Sequence, residues 1–277
     1  MNEPVRFLAW CLDPVHIGSG GYRLGRVDMS IVREPATGIP KIPGTSLAGA
    51  VRAYAEMAKE EDGTLPDIRI VFGDAAGNEG RQGVLRFYDA DILMFPVISD
   101  HGTVWVSTAD RLQEWLDVEC AVRSSIQEEK VVVLKGLPMD LPVNLGWLLL
   151  EADTAAHANV FARPELPFVT RLVVVSDKLF HHLVNDNLEV RTSVEIDDQT
   201  GAAKCGALFT YEAIPRGTVL GFEVAIDARR GDGISKEDVL RLLRRAFQGL
   251  KSLGIGGMGT RGFGRIEILS PQQEVVR

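Results

Sequence analysis

The sequence predicts an α+β fold with a ferredoxin-like, RRM-like core that carries insertions. Along the chain the elements read strand, capped helix, strands, hairpin, strand, long helix and strand, which is the succession that such a core requires. Two of these elements are helices with one apolar face, which suits packing against a single sheet. At 277 residues the chain can bury a large core, and we expect one elaborated domain over residues 1–277.

Composition and charge exclude several classes of protein. Hydrophobic residues make up 45% and charged residues 25% of the chain, as in ordinary globular proteins. No apolar run approaches a membrane span and the first residues do not resemble a signal peptide, so we expect a cytoplasmic protein without membrane contact. The three cysteines are far apart, which fits neither a disulfide framework nor a zinc site.

The net charge of −8 argues against a uniformly basic nucleic-acid surface. The charge is unevenly distributed, because residues 229–265 hold nine Lys or Arg and three Asp or Glu. A local basic surface is therefore compatible with an acidic protein.

The first predicted strand covers residues 7–12 and leads into a glycine-rich loop at residues 14–21. Such a loop lets the backbone approach a ligand closely. His16 lies in this loop, where it is a candidate general acid or base, a candidate phosphate donor, or a structural hydrogen-bonding group.

Residues 22–41 read as a long, partly ordered loop, and loops of this length in compact domains are often functional. Asp28 lies within this loop. On local grounds alone it is a solvated aspartate paired with one of the nearby arginines, Arg23, Arg26 or Arg33.

Residues 39–44 cannot be helical, because each proline pushes its predecessor towards extended geometry. Gly44 permits a turn, and Thr45 or Ser46 is expected to be the N-cap of the first helix. Its buried face is predicted from apolar residues at helical spacing, namely Leu47, Val51, Tyr54, Ala55 and Ala58. The unpaired N–H groups of its first turn suit a phosphate, although most capped helices bind nothing.

The middle of the chain is predicted mainly from apolar runs. Residues 83–97 read as one long or two broken strands, with residues 104–106 as their partner. Thr108 is a candidate cap for a helix containing Leu112, Trp115, Leu116 and Val122. Residues 131–134 and 147–150 are expected to be buried strands, in a region that is otherwise weakly patterned.

The next segment predicts a buried strand at residues 172–175, a short helix capped by Ser176, and a β-hairpin. The arms of the hairpin are residues 188–197 and 202–214, with the turn at residues 198–201. Alternation of apolar and polar residues along the first arm indicates a strand with two different faces.

Residues 219–226 are expected to be a core strand, followed by a helix with a capping box at Ser235 and Asp238. Its apolar stripe comprises Val239, Leu242, Leu243, Ala246, Phe247, Leu250 and Leu253.

The glycine-rich segment 254–265 contains the letters GxGxxG, but a helix precedes it and a strand at residues 263–269 follows it. Because a dinucleotide fingerprint needs the opposite order, we favour a loop whose N–H groups and Arg261 contact a sugar-phosphate backbone.

Several short motifs together resemble the RAMP superfamily of CRISPR proteins. They are HIGSG at residues 16–20, VD at 27–28, RE at 33–34, TGIP at 37–40 and IPGTSL at 42–47. More narrowly, these motifs and residues 83–116 resemble the repeated backbone subunit of the type III-B (CMR) RNA-targeting complex, with the related CSM type as the alternative.

The resemblance implies one RAMP domain with three parts. The palm core would comprise about residues 1–60, 83–106 and 215–270, the insertion about residues 107–170, and the thumb hairpin about residues 186–215. The resemblance also implies a helical assembly of copies along a CRISPR RNA, with target single-stranded RNA and other subunits of the complex as further partners.

The resemblance and the local patterns together give a set of expected RNA contacts. They are His16, Ser19, Lys41, Gly44, Thr45, Ser46, Arg52, Gly256, Gly257, Gly259 and Arg261. Family members usually carry a lysine where this chain has Ala48, so one phosphate contact is absent or is supplied by Lys41 or Arg52.

For catalysis, the resemblance implies that Asp28 cuts target RNA at regular intervals with a divalent metal, Mg²⁺ or Mn²⁺. The implied products carry 2′,3′-cyclic phosphates, and Glu212 from a neighbouring copy is a candidate second acidic group. A lone aspartate is a poor metal site, so RNA would have to complete the ligand shell. Two alternatives stay open: a non-catalytic guide-RNA scaffold, and a metal-independent guide-processing RNase that uses His16.

Overall fold

The computed structural model describes residues 4–20, 27–74, 80–118, 130–138, 141–152, 161, 163–194, 196–197, 199, 201–204, 208–231 and 233–269. Among the helices described, none is long and apolar enough to cross a membrane. Cys11 is fully buried, and Cys120 and Cys205 lie outside the described residues.

The chain alternates fifteen strands with five α-helices in the part that the structure describes. The strands are β1 Val5–Cys11, β2 Lys41–Ile42, β3 Gly73–Asp74, β4 Arg81–Gln82, β5 Leu85–Phe87, β6 Ala90–Ser99, β7 Gly102–Ser107, β8 Lys130–Lys135, β9 Val143–Leu145, β10 Leu148–Ala152, β11 Leu172–Val174, β12 Glu189–Ser193, β13 Phe209–Ala213, β14 Val219–Ile226 and β15 Ile266–Leu269. The helices are α1 Gly44–Glu61, α2 Ile68–Phe72, α3 Ala109–Leu116, α4 Asp177–Asp186 and α5 Lys236–Ser252.

One large sheet organises the molecule, in the order β15-β1-β14-β6-β7-β11-β8-β10-β9, with β2 added on β6 and β5 on β14. Each neighbouring pair among its first four strands is antiparallel, and the four strands are connected through α1 and α5. This is the ferredoxin-like arrangement, so the predicted α+β fold class is confirmed. The division into palm, insertion and thumb by residue number stays a prediction.

The helices α1 and α5 pack together and share one core with β1 and β14. Phe7 stacks on Phe222 and meets Phe247 edge to face, each with ring centroids 5.3 Å apart. Gly249 allows the close approach of the two helices, because a Cβ there would lie 2.2 Å from Cγ of Tyr54. The same tyrosine donates its hydroxyl to the carbonyl of Gly254 at 2.6 Å, which anchors the start of the glycine-rich loop.

Several local predictions are confirmed. The residues 83–97 form two strands, β5 and β6, and Thr108, Ser176 and Ser235 cap α3, α4 and α5 through their side chains. The predicted hairpin is present as β12 paired with β13, and its turn residues 198 and 200 lie outside the described residues.

Other local predictions are wrong. Helix α1 begins at Gly44 with Pro43 as its N-cap and no side-chain cap, so neither Thr45 nor Ser46 caps it. The strand expected at residues 147–150 is found as β10, but it is not buried, since Leu149 is 70% exposed. Leu253 leaves the predicted stripe of α5, because it follows the last helical residue. Helix α3 ends at Leu116, and Val122 lies outside the described residues.

Candidate functional site

Three segments that are distant in sequence meet beside strand β13. The loop after β1 pairs with the end of β13, since the N–H of Val15 donates to the carbonyl of Ile214 at 2.8 Å and the reverse bond is 2.9 Å. The same loop pairs with the segment that carries Asp28, where the N–H of Ser19 donates to the carbonyl of Ser30 at 2.9 Å. The glycine-rich loop joins through the N–H of Gly257, which donates to the carbonyl of His16 at 2.8 Å.

Asp28 lies on a short extended segment that runs parallel to β13. Met29 forms a parallel bridge with Tyr211. In this bridge the N–H of Met29 donates to the carbonyl of Thr210, and the carbonyl of Met29 accepts from the N–H of Glu212. This places Asp28 against Thr210, which donates to Oδ2 from its backbone N–H at 2.7 Å and from its hydroxyl at 2.9 Å. The N–H of Asp28 in turn donates to the Thr210 hydroxyl at 3.1 Å.

The contacts with Thr210 favour the ionised form of the aspartate. The backbone N–H of Thr210 and then its hydroxyl lower the pKa of Asp28 below its ordinary value, against a smaller opposing effect of desolvation. The residue is exposed, and its Oδ1 makes no hydrogen bond to another residue in the described part of the chain. The site therefore presents one charged carboxylate oxygen to solvent.

Glu212 is buried and holds the Asp28 segment in place. Its Oε1 accepts from the N–H of Ile31 at 3.0 Å, and its Oε2 lies 2.8 Å from Nη2 of Arg33. The side chain is 9% exposed. Both of its oxygens are bonded within its own chain, so these contacts do not favour Glu212 as the second acidic group of a neighbouring copy, and that role stays a prediction. Arg33 does not pair with Asp28, and Arg23 and Arg26 lie outside the described residues.

His16 is also buried, with 5% of its surface exposed. Its Nδ1 lies 2.7 Å from the carbonyl oxygen of Glu212, and because a carbonyl only accepts, Nδ1 must carry a proton. The ring meets Tyr211 edge to face at 6.1 Å. Of the roles left open for His16, this geometry favours the structural one and offers little to a metal-independent RNase.

The glycine-rich loop is packed against the backbone of His16. A Cβ on Gly256, whose φ is +85°, would lie 2.4 Å from the carbonyl oxygen of His16. The N–H of Gly257 is already bonded to that same oxygen, so it is not free for a phosphate. Gly259 faces open space and begins a short 3₁₀ turn that ends at Arg261.

Arg261 packs on an aromatic side chain of β13. Its guanidinium carbon is 5.0 Å from the centroid of the Phe209 ring, and Phe209 is adjacent to Thr210 in the chain. The guanidinium of Arg191, on the neighbouring strand β12, lies 4.5 Å from the centroid of Phe263. Two cations are thus held on aromatic rings next to β13, the strand that pairs with the Asp28 segment.

The first turn of α1 is not a vacant anion site. The N–H of Gly44 donates to Oδ1 of Asp89 at 2.8 Å, so a carboxylate of the chain itself occupies the helix N-terminus. Lys41 is paired with both Asp89 and Glu34, at 2.6 Å and 2.5 Å. Hydrogen bonds to Asp89 and then Glu34 raise the pKa of Lys41 above its ordinary value. The N–H of Gly44 and the ammonium of Lys41 therefore already have partners within the chain, and the phosphate contacts expected at both residues stay predictions.

The other expected RNA contacts lie either beside the Asp28 segment or on helix α1. Ser19 is exposed next to the Asp28 segment, with its hydroxyl 2.8 Å from that of Ser30. Arg52 is bonded to Glu56 at 3.0 Å and to the carbonyl of Gly73 at 3.1 Å. It lines an open cavity of about 450 Å³ together with Arg81 and Arg86, and no described contact joins this cavity to Asp28. The hydroxyls of Thr45 and Ser46 have no hydrogen-bond partner among the described residues.

The described side chains do not form a complete metal site. Among them, no group of three or more His, Cys, Asp or Glu residues could hold a metal ion. Asp28 offers one carboxylate oxygen, Oδ1, without a hydrogen-bond partner among the described residues, which suits a cation that takes its other ligands from water and phosphate.

Sequence reasoning missed Thr210, Phe209 and Arg191. No local pattern marks them, since each acts through a partner that is distant in sequence, and Thr210 is separated from Asp28 by 182 positions. The alternation along the hairpin predicts only that its residues share faces.

The chain is similar to known proteins over most of its length. The family model for the RAMP superfamily matches residues 11–267. The CRISPR system Cmr endoribonuclease Cmr4 of Pyrococcus furiosus is 28% identical over 281 residues, which cover 94% of this chain and 92% of that protein.

Two solved structures show the shared fold. The type III-B Cmr-beta complex bound to cognate target RNA contains a chain with a TM-score of 0.70 and 18% identity, covering 97% of both chains. The oligomeric Cmr4 from Pyrococcus furiosus has a TM-score of 0.62 and 22% identity, covering 98% of this chain and all of that one. The match along residues 11–267, together with the ferredoxin-like sheet, shows that this chain belongs to the RAMP superfamily.

Proposed function

We propose that this chain is the repeated backbone subunit of a type III-B RNA-targeting complex, which binds a CRISPR RNA and cuts complementary target RNA at regular intervals. The observation that carries this proposal is the exposed Asp28 carboxylate, held by Thr210 through Oδ2 with Oδ1 facing no partner in the described residues. Membership of the RAMP superfamily and 28% identity to a protein named an endoribonuclease support it.

Self-association is part of the proposal. A Pyrococcus furiosus relative is oligomeric in its crystal structure, and another forms part of a Cmr complex with target RNA. A head-to-tail contact that does not close builds a helix, which suits a linear ligand such as a guide RNA. The partners are then a CRISPR RNA, target RNA, further copies of this chain and other subunits, assembled in the cytoplasm.

We assign the following roles to the residues of the site. Asp28, kept ionised by Thr210, would hold Mg²⁺ or Mn²⁺ together with phosphate oxygens of the RNA, and the ion would offset charge on the scissile phosphate. Arg261, held on the ring of Phe209, would supply a positive charge for the RNA backbone. Glu212 and Arg33 fix the Asp28 segment to strand β13.

The proposed reaction is an intramolecular transfer of the phosphoryl group within the RNA, from the 5′-oxygen of one nucleotide to the 2′-oxygen of its neighbour. The 2′-hydroxyl attacks the adjacent phosphorus and loses its proton, the bond from phosphorus to the 5′-oxygen breaks, and that oxygen is protonated. A 2′,3′-cyclic phosphate and a 5′-hydroxyl result, without net uptake of water.

The test is cleavage of labelled RNA by a reconstituted complex loaded with a defined guide. Evenly spaced cuts are expected in RNA complementary to the guide when Mg²⁺ is present, and not in non-complementary RNA or in EDTA. Equal cutting of both RNAs, or cutting that persists in EDTA, would overturn the proposal. Binding of complementary RNA without cutting would assign the chain to the scaffold alternative.

A further inference from the structure

The strand β13 holds the aspartate as well as the thumb. On one side it pairs with β12 from Phe209 to Ala213, and on the other it runs parallel to the segment of Asp28. Thr210 lies in the middle of this arrangement, half-buried, and its hydroxyl and N–H both contact Asp28. We infer that Thr210 is the positioning residue for Asp28, an inference that rests on the proposed function.

Both hydrogen bonds that the structure gives the Thr210 hydroxyl are made to this one partner. The hydroxyl donates to Oδ2 at 2.9 Å and accepts from the N–H of Asp28 at 3.1 Å, while the backbone N–H of Thr210 donates to Oδ2 at 2.7 Å. Three hydrogen bonds between the same two residues fix both the backbone and the carboxylate of Asp28. Because Thr is β-branched, its side chain has few rotamers, so the hydroxyl is held in place before RNA binds.

This arrangement has two consequences for the site. It commits Oδ2 to the protein and leaves Oδ1 for the RNA or its ion. It also attaches the aspartate to the thumb strand, so that the position of Asp28 follows the position of the hairpin. A group held this way acts through another residue, and loss of such support typically costs ten- to a hundredfold in activity.

The test compares Thr210→Val, which removes the hydroxyl and keeps the shape, with Thr210→Ser, which keeps the hydroxyl. Thr192→Val is the matched control, since Thr192 is the exposed threonine directly opposite Thr210 in the hairpin. Single-turnover cleavage of guide-complementary RNA is measured in assembled complexes and normalised to bound target.

We expect Thr210→Val to cut roughly ten- to a hundredfold more slowly with target binding unchanged. The reason is that two of the three hydrogen bonds between Thr210 and Asp28 involve the hydroxyl that valine lacks. We expect Thr210→Ser and Thr192→Val to stay within about threefold of the wild-type rate, well short of the loss from removing support.

The outcomes separate this inference from the proposed function when Asp28→Asn is measured in parallel. If Asp28→Asn cuts like wild type, the proposed function itself fails. If Asp28→Asn is inactive and Thr210→Val keeps the wild-type rate, the inference about Thr210 is overturned. Equal losses in Thr210→Val and Thr210→Ser with target binding intact would also overturn it, since the hydroxyl would then not be the determinant.

Discussion

Arg33 and Glu212 form an ion pair at the base of the candidate site, with Nη2 and Oε2 2.8 Å apart. The glutamate also accepts the N–H of Ile31, so its carboxylate holds both the backbone and the side chain of the Asp28 segment. The pair joins a loop near the start of the chain to a strand 179 residues later, which makes it a tertiary anchor for the aspartate.

Removal of this anchor is expected to destabilise the protein. Glu212→Ala leaves the N–H of Ile31 without its acceptor and the partly buried Arg33 without its carboxylate, although Arg33 keeps its bonds to Gly38 and Asn185. We expect the free energy of unfolding to fall by about 3 kcal/mol. Urea denaturation measures this change. The exposed Glu60→Ala is the control, expected within about 0.5 kcal/mol of wild type. A Glu212→Ala protein as stable as the control would show that the anchor contributes nothing.

Gly256 and Gly259 should respond differently to the same substitution. Gly256→Ala places a Cβ 2.4 Å from the carbonyl of His16 at a φ of +85°, so we expect a loss of about 2 kcal/mol or more in stability. Gly259→Ala meets nothing within 4 Å and should be close to neutral. Thermal unfolding of the two variants makes the comparison, and equal melting temperatures would contradict the packing described for this loop.

Lys41 should make the stability of the folded protein depend on pH in the alkaline range. Hydrogen bonds to Asp89 and then Glu34 raise the pKa of Lys41 above its ordinary 10.5. A raised pKa means that the contribution of Lys41 to stability is complete below about pH 10.5 and is lost as the pH rises further. The difference in unfolding free energy between wild type and Lys41→Met should therefore shrink above that pH. A difference that is constant or grows from pH 10 to 12 would contradict the ion-pair assignment.

Arg261 should contribute one phosphate contact. Replacing it in Arg261→Gln is expected to weaken RNA binding and to reduce the slope of log affinity against log salt by about 0.7, the value for one contact to a single strand. Arg244→Gln is the control, because Arg244 is an exposed cation on α5. Titrations at several salt concentrations measure both slopes, and an unchanged slope for Arg261→Gln would remove Arg261 from the interface.

The sequence was sufficient for the fold where structure is set locally. Helix α5 was predicted from its stripe and its Ser235 cap, because both signals depend on neighbours within a few residues. Helix α1 was also predicted, but its N-cap is Pro43 and not Thr45 or Ser46 as expected. The partner of that helix start is Asp89, which is 45 positions away in sequence and gives no local signal.

The candidate site was predictable to a smaller degree. The motifs drew attention to Asp28, His16 and the glycine-rich loop, and the structure brings these together. What each one does there depends on partners from strand β13, above all Thr210 and Glu212. Because those contacts join residues that are 182 and 181 positions apart, sequence patterns could not distinguish the exposed Asp28 from the buried Glu212.

In the proposed function, cleavage of the target RNA depends on the Asp28 carboxylate. The pattern of cuts tests this dependence most directly. An end-labelled RNA complementary to the guide is incubated with Mg²⁺ and complexes that contain wild type or Asp28→Asn. The asparagine keeps an acceptor for Thr210 and removes the charge. We predict that evenly spaced cuts disappear in Asp28→Asn while target binding is unchanged, whereas cuts of undiminished rate and spacing would contradict the account.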